Sequence, residues 1–450
     1  MLFSSLEFLF LFLPISVGGY FILPRSLKNF WLLLSGLCFY GIGEPEFLPL
    51  MLTSVVVNYA FGYFISKAGE NFQNSRMLLW ISVIYNVGVL ICFKFFSPKL
   101  PIGISFYTFQ ALSYVIDVYK KSVSRAKSIV DFGAYIALYP QLVAGPIVRY
   151  GDIAERLRAR EHSAALAASG LRTFICGLAK KVILANVAGE LWSSFSARNS
   201  VLDAYFGIFA FATQIYFDFS GYSDMALGLG RIFGFEFGIN FDYPYVSQSI
   251  SDFWRRWHIS LSSFFREYVY IPLGGNRRGK ARTYLNLLIT WGLTGIWHGA
   301  ELNFLCWGLY FALILICEKA FLGKLVGSFP RLFRHTYSIA LIGIGWLIFA
   351  ADGESLTFAG LWEYLLRLIG VGADRLISVE GAYDAIRHLI FALIIIIGST
   401  PLPKRLWINI SERNAAGKIL CKLVLPLCAL LISVAYIANS GYNPFLYFRF

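Results

Sequence analysis

MLLWISVIYNVGVLICFKFF, residues 77–96, decides the fold class. These twenty residues carry one charged side chain, Lys94. A run of that length and polarity is what a helix needs to cross a bilayer. Working outward, comparable apolar runs recur at 30–43, extended by 47–65, and at 101–118, 129–148, 201–217, 284–300, 302–317, 337–351, 387–400 and 419–438. Several fall short of the roughly 20 residues of an untilted span, so some are expected to be tilted, re-entrant or joined across a glycine or proline. The reading is an all-α, polytopic membrane protein with about 10–12 transmembrane or re-entrant helices, because helices satisfy their own backbone in lipid. The stretch 1–23 is apolar, lacks a basic n-region and a small-x-small cleavage site, and is read as a retained first helix.

Composition agrees. Apolar residues make up 57% of the 450 and charged residues only 14%, against about 25% in soluble chains. The net charge of +13 is not a nucleic-acid signal, because the basic residues cluster in short loops between spans, the pattern of a cytoplasmic face. None of the seven cysteines forms CxxC; they read as packing residues, with no disulfide framework or metal site expected. No soluble domain or repeat interrupts 1–450, which reads as a single membrane domain. A more polar connector at 352–386 precedes the last two spans.

The chemistry concentrates at about 213–310. His258 in DFWRRWHISLSSFFREY and His298 in TWGLTGIWHGAELNF are two of only five histidines, each beside a tryptophan. A polar group in hydrocarbon costs several kcal/mol unless it is paired or faces a watery cavity. Two readings stand: structural hydrogen-bond donors, or partners in one buried site. A desolvated His298 is neutral and able to accept a proton, with Gly292 and Gly295 allowing close approach of a backbone or a thin substrate. Glu301, at i+3, either orients its ring or caps the span. A neutral base of this kind suits transfer of an activated acyl group onto a hydroxyl, with His258, Asn286 or a backbone N–H as oxyanion donors. No GxSxG elbow is present, and Cys306 lies eight residues past His298 without the context of a nucleophile, so direct transfer is the simpler route.

Upstream, Asp218, Asp224 and Arg231 sit in an apolar stretch, as structural pairs or as cavity lining. Ser251 is the expected N-cap of a helix that places Trp254, His258, Leu261 and Phe265 near one face, with Arg255, Arg256 and Arg266 around its polar sides. The loop YIPLGGNRRGKARTY is no Walker A motif. Its Arg277, Arg278 and Lys280 are either topology residues or contacts to the phosphates of an anionic carrier such as coenzyme A. A proton-coupled transporter or a membrane scaffold is the rival reading, although the paired broken helices of transporters are not evident.

The chain resembles membrane-bound O-acyltransferases, in the bacterial branch of alginate and peptidoglycan O-acetyltransferases. The resemblance rests on DFWRRWHISLSSFFREYVYIPLGGNRRG at 252–279, WHGAELNFLCWG at 297–308 and the opening MLFSSLEFLFLFLP. PIGISFYTFQALSYVIDVYK at 101–120, AGPIVRY at 144–150 and the terminal NPFLYFRF extend it over nearly the whole chain. It implies a central funnel, His298 as the catalytic histidine with His258 as its second, and a tryptophan–arginine context at Trp254, Arg255, Arg256 and Trp257, the first three of them read as cofactor-binding. It also implies acetyl-CoA as donor, an extracytoplasmic polysaccharide as acceptor, an exported acetyltransferase-type partner and a place in the cytoplasmic membrane. Arg449 stands where the closing motif often has glutamine.

Overall fold

The computed structural model describes residues 1–69, 71–143, 145–352, 356–439 and 446. All of its regular structure among the described residues is helical, with one isolated bridge between Ser200 and Arg375. Among the described residues, five helices are long and apolar enough to cross a membrane: Pro45–Ala68, Gln73–Phe96, Leu302–Gly327, Arg331–Ala350 and Ala415–Asn439. Val379–Arg387 and Leu389–Gly398, bent by 57°, supply a sixth if taken as one span. The chain is therefore a multi-pass membrane protein.

Full-length spans are fewer than the apolar runs because polar and proline residues divide them. The runs 30–43 and 47–65 are separate helices, Lys28–Gly43 and Leu48–Ala68, parted where Glu44 leaves helical geometry (φ −139°, ψ 64°) ahead of Pro45. The run 129–148 breaks into Ile129–Ile136 and Tyr139–Leu142, with Pro140 in the first turn of the second. Ile104–Tyr119 is a 16-residue helix buried along almost its whole length. The run 201–217 is the opening of a 32-residue helix, Val201–Ile232. Residues 8–22 form an apolar helix that begins with a π turn.

Two compact units emerge, one of Met1–Leu178, Gly221–Ile239 and Ile437–Asn439, the other of Ala179–Ser220, Asn240–Tyr436 and the C-terminal residues. In the first, Leu48–Ala68 and Phe72–Ile91 are clamped by a buried amide pair. Asn86 donates to Asn58 at 2.7 Å and Asn58 to Asn86 at 3.1 Å, and each also donates to the carbonyl of the serine one turn back. Reciprocal amides satisfy each other where water is absent. Arg231 belongs to this unit and donates to Thr173 at 2.9 Å.

The second unit holds the helical hairpin Gly279–His298 and Leu302–Cys317. A Cβ on Gly308 would collide with the Trp291 carbonyl oxygen, and one on Gly295 with the Phe304 carbonyl oxygen. Gly292, expected to share this role, has open space at its Cβ position. Gly308→Ala should therefore destabilise the protein by about 1–3 kcal/mol through forced backbone shifts, and Gly292→Ala should be neutral or better. Thermal unfolding of the two detergent-purified variants reads the difference; equal midpoints would mean the hairpin is not packed this closely.

Candidate active site

The stretch 249–265 is two short helices. Ile250–Arg256 is capped by Ser249, whose hydroxyl oxygen accepts the Asp252 N–H at 3.0 Å. Ser251, the expected cap, instead donates its N–H (2.9 Å) and hydroxyl (2.6 Å) to Glu318, which also accepts the Ile250 N–H at 2.8 Å. A buried carboxylate thus meets the positive end of this helix. Trp257 is then extended, and His258 adopts the left-handed conformation (φ 43°, ψ 56°) before Ile259–Phe265 begins. For a residue with a Cβ that geometry costs on the order of 1–2 kcal/mol. The break reverses the expectation of one continuous helix. Even so, Trp254, His258, Leu261 and Phe265 all line one cavity of about 550 Å³.

His298 lines the same cavity, at the C-terminal end of Gly279–His298, and is 7% exposed. Its ring packs edge-on against Trp307 (centroids 4.9 Å apart) and Phe349 (5.1 Å), and lies 4.6 Å from Trp297. His258 packs edge-on against Phe219 at 4.6 Å and lies 6.5 Å from Trp297. Trp297 therefore neighbours both histidines. His258 lies outside the candidate spans; burial lowers its pKa to about 3, so the ring is neutral at ordinary pH. Its Nδ1 is 3.1 Å from Asn240 Oδ1.

The basic wall of the cavity is Arg255, Arg266 and Lys319. Arg256 is committed elsewhere, to Asp252 at 3.0 Å and Asp242 at 3.3 Å. Arg277, Arg278 and Lys280 are exposed on a turn carrying positive-φ Gly274, Gly275 and Gly279, and are not among the lining residues. Their neighbour Asn276 does line it, accepting from Lys319 at 2.7 Å and from Tyr270 at 2.5 Å. Asn286, expected as an oxyanion donor, gives its amide to the Gly275 carbonyl at 3.0 Å and so braces the turn. Glu301 is exposed at the start of the next helix without a side-chain capping bond. Of the acids at 213–231, Asp218 lines the cavity and Asp224 does not.

Sequence reading missed what lies behind the wall. Lys181, 1% exposed, pairs with Asp218, 3% exposed, at 2.9 Å. Lys181 also donates to Asn186 at 2.7 Å, and the Leu446 N–H donates to Asp218 Oδ2 at 2.8 Å. A lysine inside GLAKKVILANV was the available signal. Lys319, Phe349 and Leu446 extend the lining beyond 213–310. Apart from Leu446, the terminal motif with Arg449 lies outside the described residues, as does Ala144 of AGPIVRY. None of the seven cysteines is in a disulfide and only Cys421 is buried, so packing explains that one and not the four exposed ones. Among the described residues, no three His, Cys, Asp or Glu side chains gather as a metal-binding group.

An aromatic-caged imidazole, a second histidine lining the same cavity and a basic edge suit acyl transfer. Residues 46–359 match the profile of the membrane-bound O-acyltransferase family. Over its whole length the chain is 35% identical to the probable alginate O-acetylase AlgI of Pseudomonas putida, covering 100% of both chains. It is 34% identical to the peptidoglycan O-acetyltransferase of Helicobacter pylori, over 78% of this chain and 77% of that one. The teichoic acid D-alanyltransferase of Bacillus subtilis is 26% identical over 49% of this chain and 59% of its own.

Proposed function

The chain belongs to the membrane-bound O-acyltransferase family, and on that premise we propose that it moves acetyl groups from cytoplasmic acetyl-CoA toward hydroxyls of an extracytoplasmic polysaccharide. The observation that supports this most is that His298 and His258 share the wall of one cavity. His298 takes the proton of the attacking hydroxyl as its oxygen forms a bond to the thioester carbonyl carbon. The tetrahedral oxyanion then collapses, the carbon–sulfur bond breaks, and the imidazolium returns the proton to the leaving thiolate. No acyl-enzyme is required. The protein sits in the inner membrane and acetylates the glycan hydroxyl directly, with an exported acetyltransferase-type partner as the alternative recipient of the acetyl group. A proton-relay transporter is less well supported, because Asp218, which such a relay would use, is held by Lys181.

The donor's phosphates fit the basic wall. Among the described residues, the guanidinium groups of Arg255 and Arg266 have no acceptor, and paired N–H groups of this kind bind phosphate well. Arg277, Arg278 and Lys280 remain candidates for an outer contact. Replacing Arg255 and Arg266 together by Gln should raise KM for acetyl-CoA by about tenfold or more with little change in kcat. Neutralising Arg277, Arg278 and Lys280 together should have the smaller effect. The opposite ranking would move the phosphates to the turn.

Mass spectrometry of envelope glycans from cells with and without the gene tests the function itself. Loss of O-acetyl groups from one polysaccharide supports the proposal and names the acceptor; unchanged acetylation of every glycan contradicts it.

A further inference from the structure

Asn240 braces the turn that carries His258. Its backbone carbonyl accepts the Ile259 N–H at 3.0 Å, and its Oδ1 lies 3.2 Å from the Ser260 backbone nitrogen and 2.9 Å from Ser260 Oγ. A backbone N–H can only donate, so the Asn240 side-chain atom facing it must be the carbonyl oxygen and not the amide nitrogen. The same oxygen is 3.1 Å from His258 Nδ1. An amide oxygen only accepts, so the proton in that contact belongs to Nδ1. A neutral imidazole has one N–H, which leaves the lone pair on Nε2.

We infer that Asn240 is a positioning residue that locks His258 in its Nδ1–H tautomer, so that His258 meets the substrate as a hydrogen-bond acceptor rather than as an oxyanion donor. The inference rests on the acyl-transfer reading of the cavity. It also narrows the acceptor class. A base and a separate acceptor on one wall suit a polyol, in which one hydroxyl loses its proton to His298 while a neighbouring hydroxyl donates to His258. The left-handed backbone at His258 belongs to the same device, since it turns Nδ1 toward Asn240 and is held there by the Asn240 carbonyl.

The tautomer can be read without turnover. Protein labelled with 15N-histidine, with the ring signals of His258 assigned by their loss in His258→Gln, should show a protonated Nδ1 and an unprotonated Nε2 at neutral pH. A proton on Nε2 overturns the inference. Two variants then test its part in the reaction. Asn240→Asp keeps the acceptor oxygen but adds a charge that favours the imidazolium, so the ring stays protonated to higher pH. Because the reaction needs the neutral ring, the acidic limb of the rate profile should move upward by about one unit or more. Asn240→Leu removes the acceptor and should lower kcat by about tenfold or more, with KM for acetyl-CoA unchanged. Equal losses in both variants at every pH would make Asn240 a structural brace only and would defeat the proposal. Should the wild-type protein transfer no acyl group while its Nδ1 is protonated, the functional reading fails and the tautomer lock stands.

Discussion

His298→Ala should lower acetyl transfer by about a thousandfold, the scale that positioned general-base catalysis supplies, while the protein inserts and extracts as the wild type does. The expectation follows from the position of the ring. It lies on the cavity wall and is caged by Trp297, Trp307 and Phe349, so removing it deletes the base and widens an existing space. His298→Gln keeps most of the volume and a polar tip but cannot take up a proton at neutral pH, so it should be nearly as inactive. Transfer at close to the wild-type rate by either folded variant would remove His298 from the reaction. His258→Ala is a less direct test, because it also releases the left-handed turn and the Asn240 contacts.

Lys181→Met should cost about 3–5 kcal/mol of stability, because it leaves the Asp218 carboxylate buried without its cation. The pair is almost wholly enclosed, at 2.9 Å. Asp218 also receives the Leu446 N–H and lines the cavity, so the loss should loosen the C-terminal attachment and the wall together. The double change Lys181→Met with Asp218→Leu should recover most of the loss, since an apolar pair of similar volume carries no desolvation penalty. Thermal unfolding followed by tryptophan fluorescence reads both. A single variant that melts with the wild type would show that the two charges are solvated, and a double variant no better than the single would point to packing instead of charge.

These expectations differ in how far the sequence alone foretold them. His258 and His298 stood out because an ionisable side chain in an apolar stretch is expensive, and the cost is visible without coordinates. The face formed by Trp254, His258, Leu261 and Phe265 was also legible, although the backbone reaches it by a different path. The break at Trp257–His258 carries no glycine or proline, so local propensity gave no sign of it; the bracing comes from Asn240, eighteen residues upstream. Glu318 caps a helix almost seventy residues before it, and no periodicity links such positions. The basic turn at 277–280 drew attention by composition, whereas the wall takes its charge from Arg255, Arg266 and Lys319, which only the packing brings together. Span length was the weakest signal: helices end at Gly43, ahead of Glu44 and Pro45, and at Ile136, ahead of Pro140.

The most direct measurement is the release of free thiol from acetyl-CoA by purified wild-type and His298→Gln proteins, side by side, with envelope glycan from cells lacking the gene as acceptor. The account predicts glycan-dependent thiol release by the wild type, matched by acetyl groups gained on the glycan, and almost none by the variant at equal folded protein. Equal release by both proteins, or no release by the folded wild type, would contradict it.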